Sequence, residues 1–309
     1  MILSVSRRTD IPAFYFRWFL GRLRAGYALT RNPMNPRRVS RIDLRPEVLD
    51  FIVFWSKNPG PMLEQLEALG GYQFYVQFTV NAYGRDLEGG LPDKPALVDT
   101  FRRLAGRLGP ERLLWRYDPV VLSPRYSPAW QTDSFGRLAE ALKGCTDECK
   151  LSFLQFYPKI KKRLAALGIY EPDPESKAGL AGEFLKIGAE TGLRLRSCGD
   201  PALRRAGLEP SRCIDPERIS RLTGRPLNLK KDPGQRLECG CAPSIDLGTY
   251  GTCPHACQYC YANYSAAAAE KRHAAHDPAS PLLCGFLGPG DILAERRLRS
   301  HFSEPAGFF

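Results

Sequence analysis

The chain of 309 residues, 43% hydrophobic and 25% charged, has the composition of a packed globular protein, which excludes a collagen-like, mucin-like or wholly disordered chain. No run approaches the roughly 18 consecutive apolar residues that span a bilayer, and two arginines interrupt the first ten residues, so a soluble, cytoplasmic protein with no membrane partner is expected. The formal charge of +11, from 44 Lys and Arg against 33 Asp and Glu, favours anionic partners, nucleic acid among them.

In chain order, runs rich in aliphatic and aromatic residues predict strands at Ile2–Val5, Phe51–Trp55, Tyr72–Val80, Arg112–Tyr117, Lys150–Phe156 and Leu193–Ser197. Helical segments are expected between them, near Ala13–Ala25, Gly60–Leu69, Pro95–Leu108, Ala129–Leu142, Pro158–Leu167 and Lys177–Thr191. This alternation predicts an α/β fold of about six parallel strands, a full or partial (β/α) barrel in preference to an open wound sheet. In either, reactive groups gather beyond the C-terminal ends of the strands. Those ends read Ser6 to Asp10, Lys57 and Asn58, Thr79 with Asn81, Arg116 with Asp118, Gln155 with Tyr157 and Lys159, and Cys198 with Asp200. Asp10, Asn58 and Asp118 also suit turns and helix caps. Buried Arg and Lys need compensating partners, which a ligand bearing carboxylate, phosphate or ribose groups would supply.

Beyond residue 200 the texture changes to a short helix at Pro216–Thr223, a basic stretch from Gly224 to Arg236 and a cysteine-rich segment resembling a cap. A helix is expected over Tyr261–His273, and the tail from Asp277 is expected to be irregular.

Five of the ten cysteines fall between residues 239 and 260. In a reducing compartment, closely spaced thiols point to metal or iron–sulfur binding rather than disulfides. The motif Cys253-Pro-His-Ala-Cys257-Gln-Tyr-Cys260 places three thiolates on one short loop. Three sulfurs can hold three irons of a cubane and leave the fourth open, while zinc, with His255 inside the loop, is the alternative.

The spacing, with Tyr259 immediately before the last cysteine, resembles the C-x3-C-x-aromatic-C cluster loop of the radical S-adenosylmethionine superfamily. SRRTDIPAF, VFWSKNP, WRYDP and GTCPHACQYCYANYS further resemble a bacterial family known only as a domain of unknown function, over most of residues 1–265. The resemblance implies a radical-SAM-like β/α barrel domain at 1–265 with its cluster loop at 253–260, followed by a C-terminal helix and irregular tail at 266–309. It implies that Cys253, Cys257 and Cys260 hold a [4Fe-4S] cluster whose open iron takes the amino and carboxylate groups of S-adenosylmethionine. Reductive cleavage would then give a 5′-deoxyadenosyl radical that abstracts hydrogen from a substrate the sequence does not name. An electron donor such as a flavodoxin or ferredoxin is implied as partner. Tyr259 would pack near the adenine or beneath the cluster.

The superfamily's glycine-rich cofactor contact has no match here, so Thr79, Asn81, Arg116 and Asp118 are cofactor-binding candidates by strand-end position alone. The cluster loop ordinarily follows the first barrel strand, whereas here it comes late, which predicts a short strand at Ser244–Leu247 beside the N-terminal one. The alternative function is a non-catalytic iron–sulfur electron carrier or a zinc-stabilised binding protein. Cys198, Cys213, Cys239 and Cys241 would form a second site, an auxiliary [4Fe-4S] cluster ahead of structural zinc, unless they are buried free thiols. Cys145 and Cys149 read as structural, and Cys284 has no assigned role. Arg7, Arg8, Arg37, Arg38 and Arg41 are the positions for a nucleic-acid contact, against the reading of a solvated basic face.

Overall fold

The computed structural model describes residues 1–296 and 298–302. Its strands are β1 (Ile2–Val5), β2 (Tyr27–Asn32), β3 (Asn35–Asp43), β4 (Phe51–Ser56), β5 (Phe74–Thr79), β6 (Leu113–Val120), β7 (Glu148–Phe153), β8 (Arg194–Ser197), β9 (Glu209–Pro210), β10 (Ile245–Asp246) and β11 (Ile292–Glu295). Eight of them form one parallel sheet in the order β10, β1, β4, β5, β6, β7, β8, β9. The six strands expected from the alternation are the middle of this sheet. The two additional members, β9 and β10, have two residues each, too few to leave a periodic signal. β10 falls within Ser244–Leu247, with Leu3 opposite Ile245 and Ser4 opposite Asp246.

Burial on both faces explains why these strands read as nearly continuous apolar runs. All six residues of β5 are buried. Phe74, Val76 and Phe78 join the core beneath the helices, where Phe78 stacks on Phe101 at 5.2 Å. Tyr75 faces the other way, into a second core with Phe51, Val53, Leu114, Cys213 and Cys241. In β6, Leu113, Trp115 and Tyr117 take the helix face, and Leu114, Arg116 and Asp118 alternate with them. The inner face therefore becomes polar towards the C-terminal ends of the strands.

The connecting helices begin on a repeated pattern of a capping side chain followed by proline. Ser127, Asp173, Asp200 and Asp215 each accept a hydrogen bond from a first-turn N–H and precede a proline. Asp200, one of the strand-end groups, is thus a helix cap. The segment expected as one helix over Ala13–Ala25 divides at Tyr15 into Ile11–Phe14 and Phe16–Ala25.

A second, three-stranded sheet consists of the antiparallel pair β2 and β3 with β11 parallel to β3. The tail is therefore not wholly irregular. β11 is exposed along its length and gains order from backbone pairing with β3, which composition does not encode. Residue 297 and residues 303–309 of the expected tail lie outside the described residues. Of the arginines singled out for nucleic acid, Arg37, Arg38 and Arg41 lie on β3, while Arg7 and Arg8 follow β1, so they divide between two sheets.

The junction of β1 and β10 is a polar clasp. The Asp246 carboxylate accepts from Ser4 Oγ at 2.8 Å, Ser6 Oγ at 2.7 Å, the Arg7 N–H at 2.8 Å and the Gly248 N–H at 2.9 Å. Gly248 packs against this clasp so closely that a Cβ there would lie 2.8 Å from Ser6 Cβ and 3.1 Å from Asp246 Oδ1. Gly248→Ala is expected to lower stability by about 1–3 kcal/mol, since overpacking must displace the clasp. Denaturant unfolding at unchanged midpoint would refute this.

Candidate metal centre

Because β10 runs parallel to β1, the chain leaving it arrives at the same end of the sheet as Ser6 to Asp10. The 253–260 loop sits there, and its position is fixed by the Asp10 carboxylate. Asp10 caps the Ile11–Phe14 helix through Ala13 N–H at 3.1 Å and accepts from Ser56 Oγ and the Lys57 N–H, each at 2.7 Å. His255 Nε2 stands 2.8 Å from the same carboxylate. SRRTDIPAF, VFWSKNP and the cysteine motif thus meet at one buried residue. His255 commits Nε2 to this carboxylate, and its Nδ1 is buried without a partner.

A strap from the β5–β6 connection covers the loop. The Gln258 N–H donates to Leu87 O and the Gly90 N–H to His255 O, both at 2.9 Å. Gly90 is required by close approach, since a Cβ would lie 2.8 Å from Pro254 O. Ala256, with φ of 54°, supplies the left-handed turn that brings the chain back between Cys253 and Cys257. Asn263 Nδ2 holds Cys253 O at 2.6 Å, and the Ala262 N–H points at Cys260 Sγ at 3.3 Å.

Neighbouring loop thiols act on the ionisation of Cys253 and Cys257. Burial, then Asp10 and the two other loop cysteines, push the Cys253 thiol up. Burial also raises Cys257, against which the Lys57 ammonium acts in the opposite sense. A cationic centre binding the sulfurs would relieve this opposition to thiolate formation. The donor set, three soft sulfurs on one loop, fits an iron–sulfur cluster.

Beneath the loop is a buried charge network that sequence reading only partly anticipates. Lys57 Nζ donates to Tyr259 Oη at 2.9 Å and to Glu88 Oε1 at 2.8 Å. Lys94 and the Tyr259 hydroxyl also bond to Glu88. Burial would raise the Glu88 carboxyl, but Lys57 and Lys94 outweigh it and hold the group at about 2. Asn81 Nδ2 reaches Tyr259 Oη at 3.2 Å and Asp118 O at 3.1 Å, while its Oδ1 accepts from the Asp118 N–H at 3.0 Å. Tyr259 and Asn81 are therefore both engaged in supporting the loop. Glu88 and Lys94 lie in or next to the irregular 81–93 stretch, where no periodicity marks them.

Thr79 ends β5 on the inner face, and Arg116 lies on the same face of β6. Arg116 pairs with Asp118, reaches Gln77 Oε1 at 3.2 Å and stands 5.1 Å from the Trp55 ring centroid. Ser152 Oγ completes the Asp118 carboxylate. The compensating partner expected for a buried arginine is thus provided within the chain. Arg7 and Arg8 are also engaged, Arg7 with Asp246 and Ser244, and Arg8 with Gly248 O. At the rim, Lys159 Nζ lies over the rings of Tyr250, Tyr261 and Tyr264 at 5.7, 5.8 and 5.1 Å.

Cys198, Cys213, Cys239 and Cys241 come together away from the 253–260 loop, with Cys198 Sγ 3.4 Å from Cys213 Sγ. Cys149 packs in the core under the helices, with Cys145 at its margin. Among the described residues no three His, Cys, Asp or Glu side chains close around the position of a single metal ion.

The family model described as Domain of unknown function (DUF1848) matches residues 2–262. The chain belongs to this family. The DUF1848 match takes in every strand of the parallel sheet, the Asp10 junction, the Glu88 network and all three cysteines of the loop. No curated protein matches the chain. No described helix is long and apolar enough to cross a membrane.

Proposed function

We propose that the chain is an iron–sulfur enzyme of the radical S-adenosylmethionine type, with Cys253, Cys257 and Cys260 as ligands of a [4Fe-4S] cluster. With S-adenosylmethionine bound, such a cluster supplies a 5′-deoxyadenosyl radical for hydrogen abstraction from a substrate. The observation that carries this reading is the loop's position: one buried and two half-buried thiols at the C-terminal end of a parallel sheet, a few residues after the edge strand that flanks β1. In space, β10 stands first in the sheet although it comes last among its strands in sequence. The sheet is read as a partial barrel, with residues 1–265 as its working unit.

The chain's own residues divide the labour. Asp10 and His255 fix the loop to the sheet, the Leu87–Gly90 strap excludes water from one side of it, and the Ala262 N–H supports negative charge on Cys260. Lys57 offsets thiolate charge at Cys257. Thr79, Arg116 and Asp118 line the inner face on which the cofactor would lie, and Tyr259 and Asn81 position the loop from beneath. A one-electron donor of flavodoxin or ferredoxin type is the partner this chemistry requires.

The test is iron and sulfide quantification on anaerobically purified protein, with electron paramagnetic resonance before and after adding S-adenosylmethionine. A cluster spectrum perturbed by the cofactor, and 5′-deoxyadenosine on reduction, are expected. Zinc alone, or a fully loaded cluster whose spectrum ignores the cofactor, would overturn the proposal in favour of a binding protein or an electron carrier respectively.

A further inference from the structure

We infer that Cys198, Cys213, Cys239 and Cys241 form a second metal centre, a four-thiolate site for an iron–sulfur cluster or a zinc ion, independent of the 253–260 loop. Three distant segments bring these sulfurs together. Cys198 directly follows β8, Cys213 precedes the Pro216–Thr223 helix, and Cys239 and Cys241 come from the irregular chain between that helix and β10. Cys198 Sγ touches Cys213 Sγ at 3.4 Å, and Cys198 and Cys239 both pack against the core cluster that holds Cys213 and Cys241.

The donors around them distinguish this group from ordinary core cysteines. The N–H groups of Cys213 and Ile214 point at Cys241 Sγ at 3.1 and 3.4 Å, and the Arg116 guanidinium donates to Cys213 Sγ at 3.0 Å. A neutral thiol is a weak acceptor, so two N–H groups and a guanidinium aimed at two buried sulfurs suit sulfur that carries negative charge. Lys150 adds positive charge, its Nζ held 2.7 Å from Arg212 O beside Cys213. Several thiolates in contact inside a core need a cation among them, and all-sulfur ligation selects a soft, thiophilic centre. The four sulfurs are not gathered around one point in this structure. Closure on a metal therefore requires more than one of the side chains to turn inward, Cys239 among them, which is half-buried on chain without helix or strand.

The site is read apart from the first by removing the first. The full-length Cys253→Ala/Cys257→Ala/Cys260→Ala variant, purified anaerobically, is expected to retain one metal centre per chain. Iron with sulfide identifies a cluster and one equivalent of zinc identifies a zinc site; either is expected to vanish when Cys213→Ser and Cys241→Ser are added. In the wild-type protein, alkylation with iodoacetamide should spare these four cysteines until the metal is stripped, while Cys284 reacts throughout. A triple variant without metal, four thiols that alkylate as fast as Cys284, or a disulfide between Cys198 and Cys213 in anaerobically prepared protein would overturn the inference. None of these results depends on whether the first loop binds S-adenosylmethionine.

Discussion

Glu88→Gln is expected to lower the unfolding free energy by about 3 kcal/mol at neutral pH, and the difference from wild type is expected to shrink in acid. The carboxyl is held at about 2 against an ordinary value of 4.5, a difference of about 3 kcal/mol between its two protonation states. Because the folded-state value is depressed, this stabilisation is present in full above pH 4.5 and is lost as the pH falls from there towards 2. The amide would keep one acceptor for Tyr259 or Lys57 but turn a neutral donor group towards the remaining ammonium, leaving two lysines with a partner that no longer carries charge. Urea unfolding of both proteins between neutral pH and pH 3 checks the sign as well as the size. A constant difference across that range would mean that the carboxylate charge is not what the two lysines require.

Cys257→Ala is expected to abolish both the cofactor-dependent change in the paramagnetic spectrum and the formation of 5′-deoxyadenosine, whereas Cys284→Ala leaves both unchanged. Two sulfurs cannot hold three irons of a cubane, so the effect should be complete rather than graded. Far-UV circular dichroism separates loss of the cluster from loss of the fold. The Asp10 junction and the strap hold the loop by backbone and carboxylate bonds in which the Cys257 side chain takes no part. Retained 5′-deoxyadenosine formation in Cys257→Ala would remove this loop from the chemistry.

Ser127 and Asp173 open their helices at Pro128 and Pro174, ahead of the expected Ala129 and Lys177, but the fold was legible wherever burial on both faces imposed long apolar runs, as in β4, β5 and β6. The β2–β3 hairpin was not, because its exposed stretch Asn35–Arg38 carries arginines, asparagine and proline in place of alternating apolar residues. The helix expected from Tyr261 begins instead at Ala266, since Ser265 caps it and Asn263 is drawn back to Cys253 O. At the site, the spacing of Cys253, Cys257 and Cys260 marked three thiols on one loop, but not what holds that loop in place. The pairing of Asp10 with His255 spans 245 residues, and only the adjacency of β1 and β10 creates it. Asp10 read locally as a helix cap, which it is, and its second role needed the fold.

The late position of β10 has a consequence for how the protein is made. As the polypeptide leaves the ribosome, β1 and β4 to β8 emerge with one flank of β1 bare, an unsatisfied row of backbone groups that invites mispairing. That flank is closed only when Ile245 and Asp246 arrive, and the three loop sulfurs follow a few residues later. The cluster proposed for this loop could therefore be received only after the strand that seals the nascent sheet has been made, so one step of synthesis would serve both.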